Sequence, residues 1–269
     1  MVMTAVTVDG IIYRQRAELR ASRALRKEWF WDLHSHLYDV AWDAPTTTAV
    51  VRQIVKSLPS PNTVVDLGCG TGLFSQTYRS NGSTVIGVDG SRRMLMRALE
   101  RGRITEAKQA DASNSGLPRG CADLVVCANL LHLHPYPEAV IDEAARLSAE
   151  GGALAFVTPN LPLRQSDVYA SDIRSGRRWD HSAMAHLARA MVSVPAGFAR
   201  IHPRSSAEVL AVLSRVAPQW GLVESPPRLF NSTQLLIIYR RHGDAAVRKT
   251  VNGNSDSNAY AGIYSVNKD

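Results

Sequence analysis

One stretch of the chain combines residue types that can hold a charged small molecule. The segment Val64–Gly72 joins an apolar, β-branched strand pattern to Asp66 and a G-x-G-x-G turn, and a helical pattern follows from Leu73. Glycines at alternate positions can take positive φ values and let a ligand lie against bare backbone. Asp66 comes at the carboxyl end of the strand, where open α/β sheets bind ligands. The segment therefore predicts a ligand-binding strand–turn–helix unit.

Two more acids end the next two strand patterns. Asp89 ends the segment Thr84–Asp89, and Asp111 ends the segment Glu106–Asp111. An acid at the end of the second strand of a βαβ unit can accept hydrogen bonds from both hydroxyls of a ribose. Three acids at one edge of a sheet suit a ribose and an adenine amino group better than a pyrophosphate.

With these residues the chain resembles the class I S-adenosylmethionine-dependent methyltransferases of the small-molecule type. The resemblance covers about residues 62–158 and rests on five motifs in order: VVDLGCGTG at 64–72, VIGVDGSRRML at 85–95, QADA at 109–112, ADLVVCANLLH at 122–132 and LSAEGGALAFV at 147–157. It implies S-adenosylmethionine as the cofactor. The cofactor contacts that we expect are Asp66, Gly68, Cys69, Gly70, Gly72, Asp89, Gly90, Met94, Asp111, Ala112, Asn129 and Leu130.

The resemblance also implies which part of the cofactor each group holds. Asp66 and the glycine turn would hold the methionine part, Asp89 the ribose, and Asp111 with Ala112 the adenine. Asn129 and Leu130 would lie beside the sulfonium. The alternative is a nicotinamide-binding domain, which expects G-x-G-x-x-G/A, whereas the third glycine comes one residue early in this chain.

Two histidines after the fourth strand pattern are the candidates for catalysis. Methyl transfer needs an in-line approach of the acceptor in a site that excludes water. For a hydroxyl acceptor, a general base raises the rate by about 10²- to 10⁴-fold. His132 and His134 are placed for that role, and the alternative is that they only fix a loop. No third ligand with suitable spacing accompanies them, so we expect no metal site.

The N-terminal part has a helical pattern over about residues 13–42, with apolar side chains every fourth residue. Tyr13, Trp29 and Tyr38 are candidates for lining an acceptor pocket, and packing in the core is the alternative. The arginines at 174, 177 and 178 could bind an acidic group of the acceptor or belong to a solvated loop.

The alternation of strand and helix patterns predicts an α/β fold: a doubly wound, mostly parallel seven-stranded sheet with an antiparallel last strand. The last two strand patterns, at 222–230 and 234–239, are joined by about three residues, too few for a parallel crossover. We expect a helical lid segment at 1–45, a Rossmann-like domain at 46–241 with an inserted cap at about 160–204, and a disordered tail at 242–269.

Charge and composition limit the partners. The net charge is +7 over 269 residues, but the positive charges are scattered along the chain, which argues against nucleic acid. The three cysteines have no C-x-x-C spacing, and no apolar run approaches the roughly 20 residues that span a bilayer. These features predict a cytoplasmic protein without a membrane segment. The apolar stripe of the N-terminal helix makes a homodimer plausible.

We therefore expect an S-adenosylmethionine-dependent methyltransferase acting on a small organic acceptor, in specialised metabolism such as natural product biosynthesis. One alternative is an RNA methyltransferase, although residues 129–132 read Asn-Leu-Leu-His and not Asn-Pro-Pro-Tyr. The other is a cofactor-binding protein without transfer activity.

Overall fold

The structure is a computed structural model that describes residues 28–42, 51, 60–159, 183–185, 187, 188, 191, 211, 215, 220–224 and 234–241. Tyr13, the arginines at 174, 177 and 178 and the tail at 242–269 lie outside the described residues, as do most of the predicted lid and cap. Among the described residues, no helix combines the length and the apolar character needed to cross a membrane.

The described elements alternate between helix and strand. The helices are α1 (Glu28–Trp42), α2 (Ser75–Ser80), α3 (Arg92–Glu100) and α4 (Pro137–Leu147). The strands are β1 (Thr63–Leu67), β2 (Thr84–Asp89), β3 (Glu106–Gln109), β4 (Ala122–Ala128), β5 (Ser148–Pro159), β6 (Trp220–Glu224) and β7 (Gln234–Arg241). Ser91 caps α3, because its side chain accepts a hydrogen bond from the Met94 N–H group.

The strands form one sheet in the order β3-β2-β1-β4-β5-β7-β6. The pairs within β1 to β5 are parallel, and β7 runs antiparallel to both β5 and β6. This Rossmann-like α/β architecture confirms the predicted fold class at that level. The chain reverses its direction of growth between β1 and β4, and ligands bind outside the carboxyl ends of the strands at such a switch point.

Apolar side chains form a cluster on each face of the sheet, because neighbouring residues of a strand point to opposite faces. One cluster joins Val65, Leu67, Val125, Cys127, Leu154 and Phe156 to Val140, Ile141 and Ala144 of α4. The other joins Val64, Val85, Leu124, Val126, Ala155 and Val157 to Tyr78, Leu95 and Ala98 of α2 and α3. Both faces are covered, which explains why the central strands read as continuous apolar runs.

The predicted end of the third strand is wrong by two residues. β3 ends at Gln109, and Asp111 lies beyond it in an isolated bridge to Asn114. The Asp111 carboxylate accepts hydrogen bonds from the Ser113 N–H group at 2.8 Å and the Ser113 hydroxyl at 2.5 Å. This local turn draws the chain out of the sheet before Asp111 can join the ladder.

Candidate active site

The turn after β1 requires glycine at the positions that the sequence singled out. Gly68, Gly70 and Gly72 have φ values of +71°, +54° and +75°. A Cβ atom on Gly68 would lie 2.8 Å from Cδ2 of Leu130, and one on Gly72 would lie 2.9 Å from Cβ of Arg103. Because the backbone is left-handed and the neighbouring atoms are close, any other residue type at Gly68 or Gly72 would be strained.

Hydrogen bonds within the protein already use four N–H groups of this turn. The N–H groups of Gly68 and Cys69 both donate to the Val88 carbonyl, at 2.7 and 3.1 Å. The Gly72 N–H group donates to the Cys69 carbonyl at 2.9 Å, and the Gly70 N–H group donates to Oδ2 of Asp89 at 2.8 Å. The turn is thus held against the end of β2.

Asp66 is a buried carboxyl group with one satisfied oxygen. Its Oδ2 atom accepts a hydrogen bond from the Ser75 hydroxyl at 2.6 Å, whereas its Oδ1 atom is buried and has no partner among the described atoms. Burial raises the pKa of Asp66 to about 7, with a smaller contribution from the Asp89 charge and opposition from the Ser75 bond. A half-satisfied buried carboxyl group fits a positively charged ligand group, which would supply the missing partner.

Asp89 is held by backbone donors at both oxygens. Besides the Gly70 bond, Oδ1 accepts a hydrogen bond from the Ser91 N–H group at 2.8 Å. Burial raises the pKa of Asp89, and these two hydrogen bonds oppose the rise. Each carboxylate oxygen has a second lone pair, so the group can still accept hydrogen bonds from two ribose hydroxyls.

Asp111 and His134 form a pair that the sequence did not predict. Nε2 of His134 lies 3.3 Å from Oδ1 of Asp111, and the Tyr136 N–H group donates to Nδ1 of His134 at 3.1 Å. Burial alone would raise the pKa of Asp111, but the bonds from His134 and Ser113 outweigh it and lower the pKa to about 2. Because Nδ1 accepts a hydrogen bond from the Tyr136 N–H group, the proton of a neutral His134 ring lies on Nε2. Neither ring nitrogen then offers a free lone pair to a substrate.

His132 differs from His134 in having a free nitrogen. Its ring is buried, and its Nδ1 atom has no hydrogen-bond partner among the described residues. Burial lowers the pKa of His132 to about 4, so the ring is neutral near pH 7. Of the two histidines predicted from sequence, His132 is therefore the one whose geometry suits a proton acceptor.

Two other buried polar atoms without partners lie at the ends of β4 and β5. They are Oδ1 of Asn129 and Oγ1 of Thr158. Asn129 has a φ of +55°, and its N–H group donates to the Val157 carbonyl at 2.8 Å, so the two strand ends are adjacent. Sequence reasoning missed Thr158, for which the only signal is a hydroxyl residue at the end of an apolar strand.

The remaining predicted cofactor residues pack around the turn or in the core. Leu130 covers Gly68, and the Cys69 and Ala112 side chains are buried. Met94 is 1% exposed on the inner side of α3. The Gly90 carbonyl accepts a hydrogen bond from Nε2 of Gln109 at 3.1 Å.

Of the three aromatic candidates for the acceptor pocket, the structure locates the side chain of Tyr38 alone. A Cβ atom on Gly70 would lie 3.6 Å from the Tyr38 ring, so the ring lies at the glycine turn. Trp29 lies within α1. Sequence reasoning missed Asp32 and Asp39, which fasten α1 to the domain. Asp32 accepts a hydrogen bond from the Ser91 hydroxyl at 2.6 Å.

Comparisons with known proteins match part of this chain to methyltransferases. Residues 65–156 match the family model described as "Methyltransferase domain". A ubiquinone biosynthesis O-methyltransferase of Nitrosomonas europaea is 32% identical over 53% of this chain and 62% of its own length. One from Pseudomonas putida is 32% identical over 54% of this chain and 63% of its own length. The matches thus span less than two thirds of these relatives.

Solved structures share the fold. An S-adenosylmethionine-dependent methyltransferase of Thermotoga maritima, described as a possible histamine N-methyltransferase, has a TM-score of 0.53 and 16% identity over 80% of this chain and 98% of its own. Another from Mesorhizobium loti has a TM-score of 0.51 and 21% identity over 73% of this chain and 98% of its own.

Residues 65–156 therefore match a methyltransferase domain, which agrees with the resemblance read from the sequence. The relatives named above belong to ubiquinone biosynthesis by name, which gives no support to the expected role in specialised metabolism.

Proposed function

We propose that this protein transfers a methyl group from S-adenosylmethionine to a hydroxyl oxygen of a small organic acceptor. The observation that carries the proposal is a set of buried polar atoms at the carboxyl edge of β1, β4 and β5 that have no hydrogen-bond partner among the described residues. They are Oδ1 of Asp66, Oδ1 of Asn129, Nδ1 of His132 and Oγ1 of Thr158. Buried polar atoms in native proteins nearly always have partners, so these four mark where ligands supply them.

The cofactor half of the site lies at the ends of β1 and β2. The free oxygen of Asp66 would accept a hydrogen bond from the ammonium group of the methionine part. Asp89 would accept hydrogen bonds from the ribose hydroxyls. The Asp111 carboxylate, which His134 and Ser113 hold in place, would accept a hydrogen bond from the adenine amino group. The neighbouring Ala112 backbone would also contact the adenine. When bound, S-adenosylmethionine supplies an activated methyl group and a positive charge, which suits this acidic rim.

The acceptor half lies at the ends of β4 and β5. Nδ1 of His132 would take the proton of the acceptor hydroxyl, since its lone pair is free and the ring is neutral near pH 7. Asn129 and Thr158 would orient the acceptor by hydrogen bonds. The names of the relatives, which are O-methyltransferases, support oxygen as the atom that is methylated.

The proposal includes the predicted organisation: a lid at 1–45, a domain at 46–241 with a cap at about 160–204, and a seven-stranded sheet with a reversed last strand. The pairing of β7, antiparallel to both neighbours, supports the sheet. The cytoplasmic location and the homodimer stay predictions.

The test is an assay with methyl-labelled S-adenosylmethionine and three acceptor pools: small phenols and catechols, a fractionated metabolite extract, and total RNA. We expect labelled product in a small-molecule pool, with the label retained in mild base, which cleaves methyl esters, and released by boron tribromide, which cleaves methyl ethers. Label in the RNA pool instead would favour an RNA methyltransferase. Tight cofactor binding with no product in any pool would favour a binding protein without transfer activity.

A further inference from the structure

One part of the proposed cofactor needs hydrogen-bond donors. The methionine part of S-adenosylmethionine ends in a carboxylate, which needs donors, yet Asp66 and Asp89 at the same edge are acids. The N–H groups of Gly68, Cys69 and Gly72 donate to backbone carbonyls, and that of Gly70 donates to Asp89. These four N–H groups are already used within the protein, so the carboxylate needs a further donor.

Tyr38 of α1 supplies a phenol at this place. Its Cε1, Cζ and hydroxyl oxygen atoms lie 3.6, 3.7 and 3.8 Å from the Cβ position built on Gly70. Within the described part of the chain, no hydrogen bond uses the Tyr38 hydroxyl. Burial first, and then the charges of Asp89 and Asp66, raise the pKa of Tyr38, so the phenol keeps its proton near pH 7. A protonated phenol near these two acids can donate to an anion that the acids alone would repel.

The residue after Tyr38 fixes α1 to the same turn. The Thr71 hydroxyl donates to Oδ1 of Asp39, and NH1 of Arg103 donates to Oδ2 of Asp39 at 2.9 Å. The same NH1 donates to the Thr71 carbonyl at 3.1 Å. Asp39, Thr71 and Arg103 are all buried, so this network is shielded from water. Two consecutive residues of α1 thus contact two consecutive residues of the turn.

We propose that Tyr38 is a cofactor-binding residue whose hydroxyl donates to the carboxylate of the methionine part, and that Asp39 positions it through Thr71 and Arg103. This inference rests on the proposed function, because it assumes that the site takes S-adenosylmethionine. It moves Tyr38 from the acceptor pocket, where the sequence suggested it, to the cofactor site.

The experiment compares two ligands by calorimetry: S-adenosylmethionine and its decarboxylated form, which keeps the sulfonium and the amine but lacks the carboxylate. We expect Tyr38→Phe to weaken binding of S-adenosylmethionine by about 10- to 100-fold, the range for a lost hydrogen bond to a charged group. Binding of the decarboxylated form should change by less than about twofold. Equal weakening of both ligands, or no weakening of either, would overturn the assignment.

Asp39→Asn tests the positioning role, with Asp32→Asn as the matched control on the same helix. Asp32 also fastens α1, through Ser91 and the Arg93 N–H group, but it does not contact the glycine turn. We expect Asp39→Asn to reduce the preference for S-adenosylmethionine over the decarboxylated form, and Asp32→Asn to retain it. The same loss in both variants would show that docking of α1, and not Asp39, is responsible. If the unmodified protein binds neither ligand, the proposed function itself fails.

Discussion

Asp66 shows how one buried group can report on the ligand that a site is built for. One of its oxygens is bonded to Ser75 and the other is buried without a partner. Burial of this carboxyl group disfavours its charged form and raises its pKa to about 7. The residue type and its place at the end of β1 could be predicted from sequence. Its unpaired oxygen could not, because that depends on which side chains of α2 surround it.

The pKa of Asp66 gives a stability prediction with a defined sign. Between the ordinary carboxyl range near pH 4 and about pH 7, the folded state holds a proton that the unfolded state has lost. Without cofactor, the free energy of unfolding contributed by Asp66 therefore falls as the pH rises through this window. Melting curves from pH 4 to 8 should show this fall in the native protein and a flatter profile in Asp66→Asn. Parallel profiles would contradict the raised pKa.

Asp89→Ala should remove most of the cofactor affinity. The change deletes the acceptor for the ribose hydroxyls and also leaves the Gly70 and Ser91 N–H groups without their partner. We expect a loss of at least about 100-fold in the affinity for S-adenosylmethionine, since each lost or orphaned group costs about 1–3 kcal/mol. Calorimetry measures it. Unchanged affinity would show that the ribose does not bind at Asp89.

Substitutions of the two histidines should change different kinetic constants. His132→Gln should lower kcat by about 10²- to 10⁴-fold with little change in the KM for the cofactor, because the general base is lost. His134→Gln should raise the KM for the cofactor through Asp111 and change kcat less. The acid limb of kcat/KM for the acceptor should lie near pH 4, where His132 gains a proton, and not near its usual value. A larger loss of kcat in His134→Gln would reverse the assignment.

At the scale of elements, the sequence predicts what neighbouring residues determine. The strand, turn and helix around Gly68–Gly72 follow from local periodicity and from glycine spacing, and the order of acids follows from the strand ends. The docking of α1 was not predictable, because Asp39 finds Thr71 and Arg103 more than 30 and 60 positions further along the chain. The end of β3 was misplaced because an Asp–Ser turn competes with the ladder.

The glycine turn offers a prediction that separates backbone strain from crowding. Gly68→Ala combines a φ of +71° with a contact of 2.8 Å to Leu130, whereas Gly82→Ala has a φ of +91° and no atom within 4 Å of its new Cβ. Gly82→Ala should cost about 1 kcal/mol of strain alone, and Gly68→Ala should cost about 1–3 kcal/mol more. Urea unfolding measures both. Equal costs would mean that Leu130 yields freely.

At the scale of the whole molecule, cofactor binding should appear as stability. A ligand that binds only the folded state adds about 2.7 kcal/mol at 100 times its Kd, or roughly 5–10 °C in Tm for a chain of this size. Thermal shift with and without S-adenosylmethionine measures this rise, and Asp89→Ala should abolish it at the same concentration. A rise that persists in Asp89→Ala would point to binding elsewhere on the protein.

The strand order places the proposed cofactor residues and the proposed acceptor residues in different parts of the chain. Asp66 and Asp89 belong to β1 and β2, and Asp111 follows β3, so the three acids lie on one side of the switch point. Asn129, His132 and Thr158 belong to the other side. Under the proposed function, substitutions on the second side can therefore change which acceptor is methylated, while the first side keeps the same methyl donor.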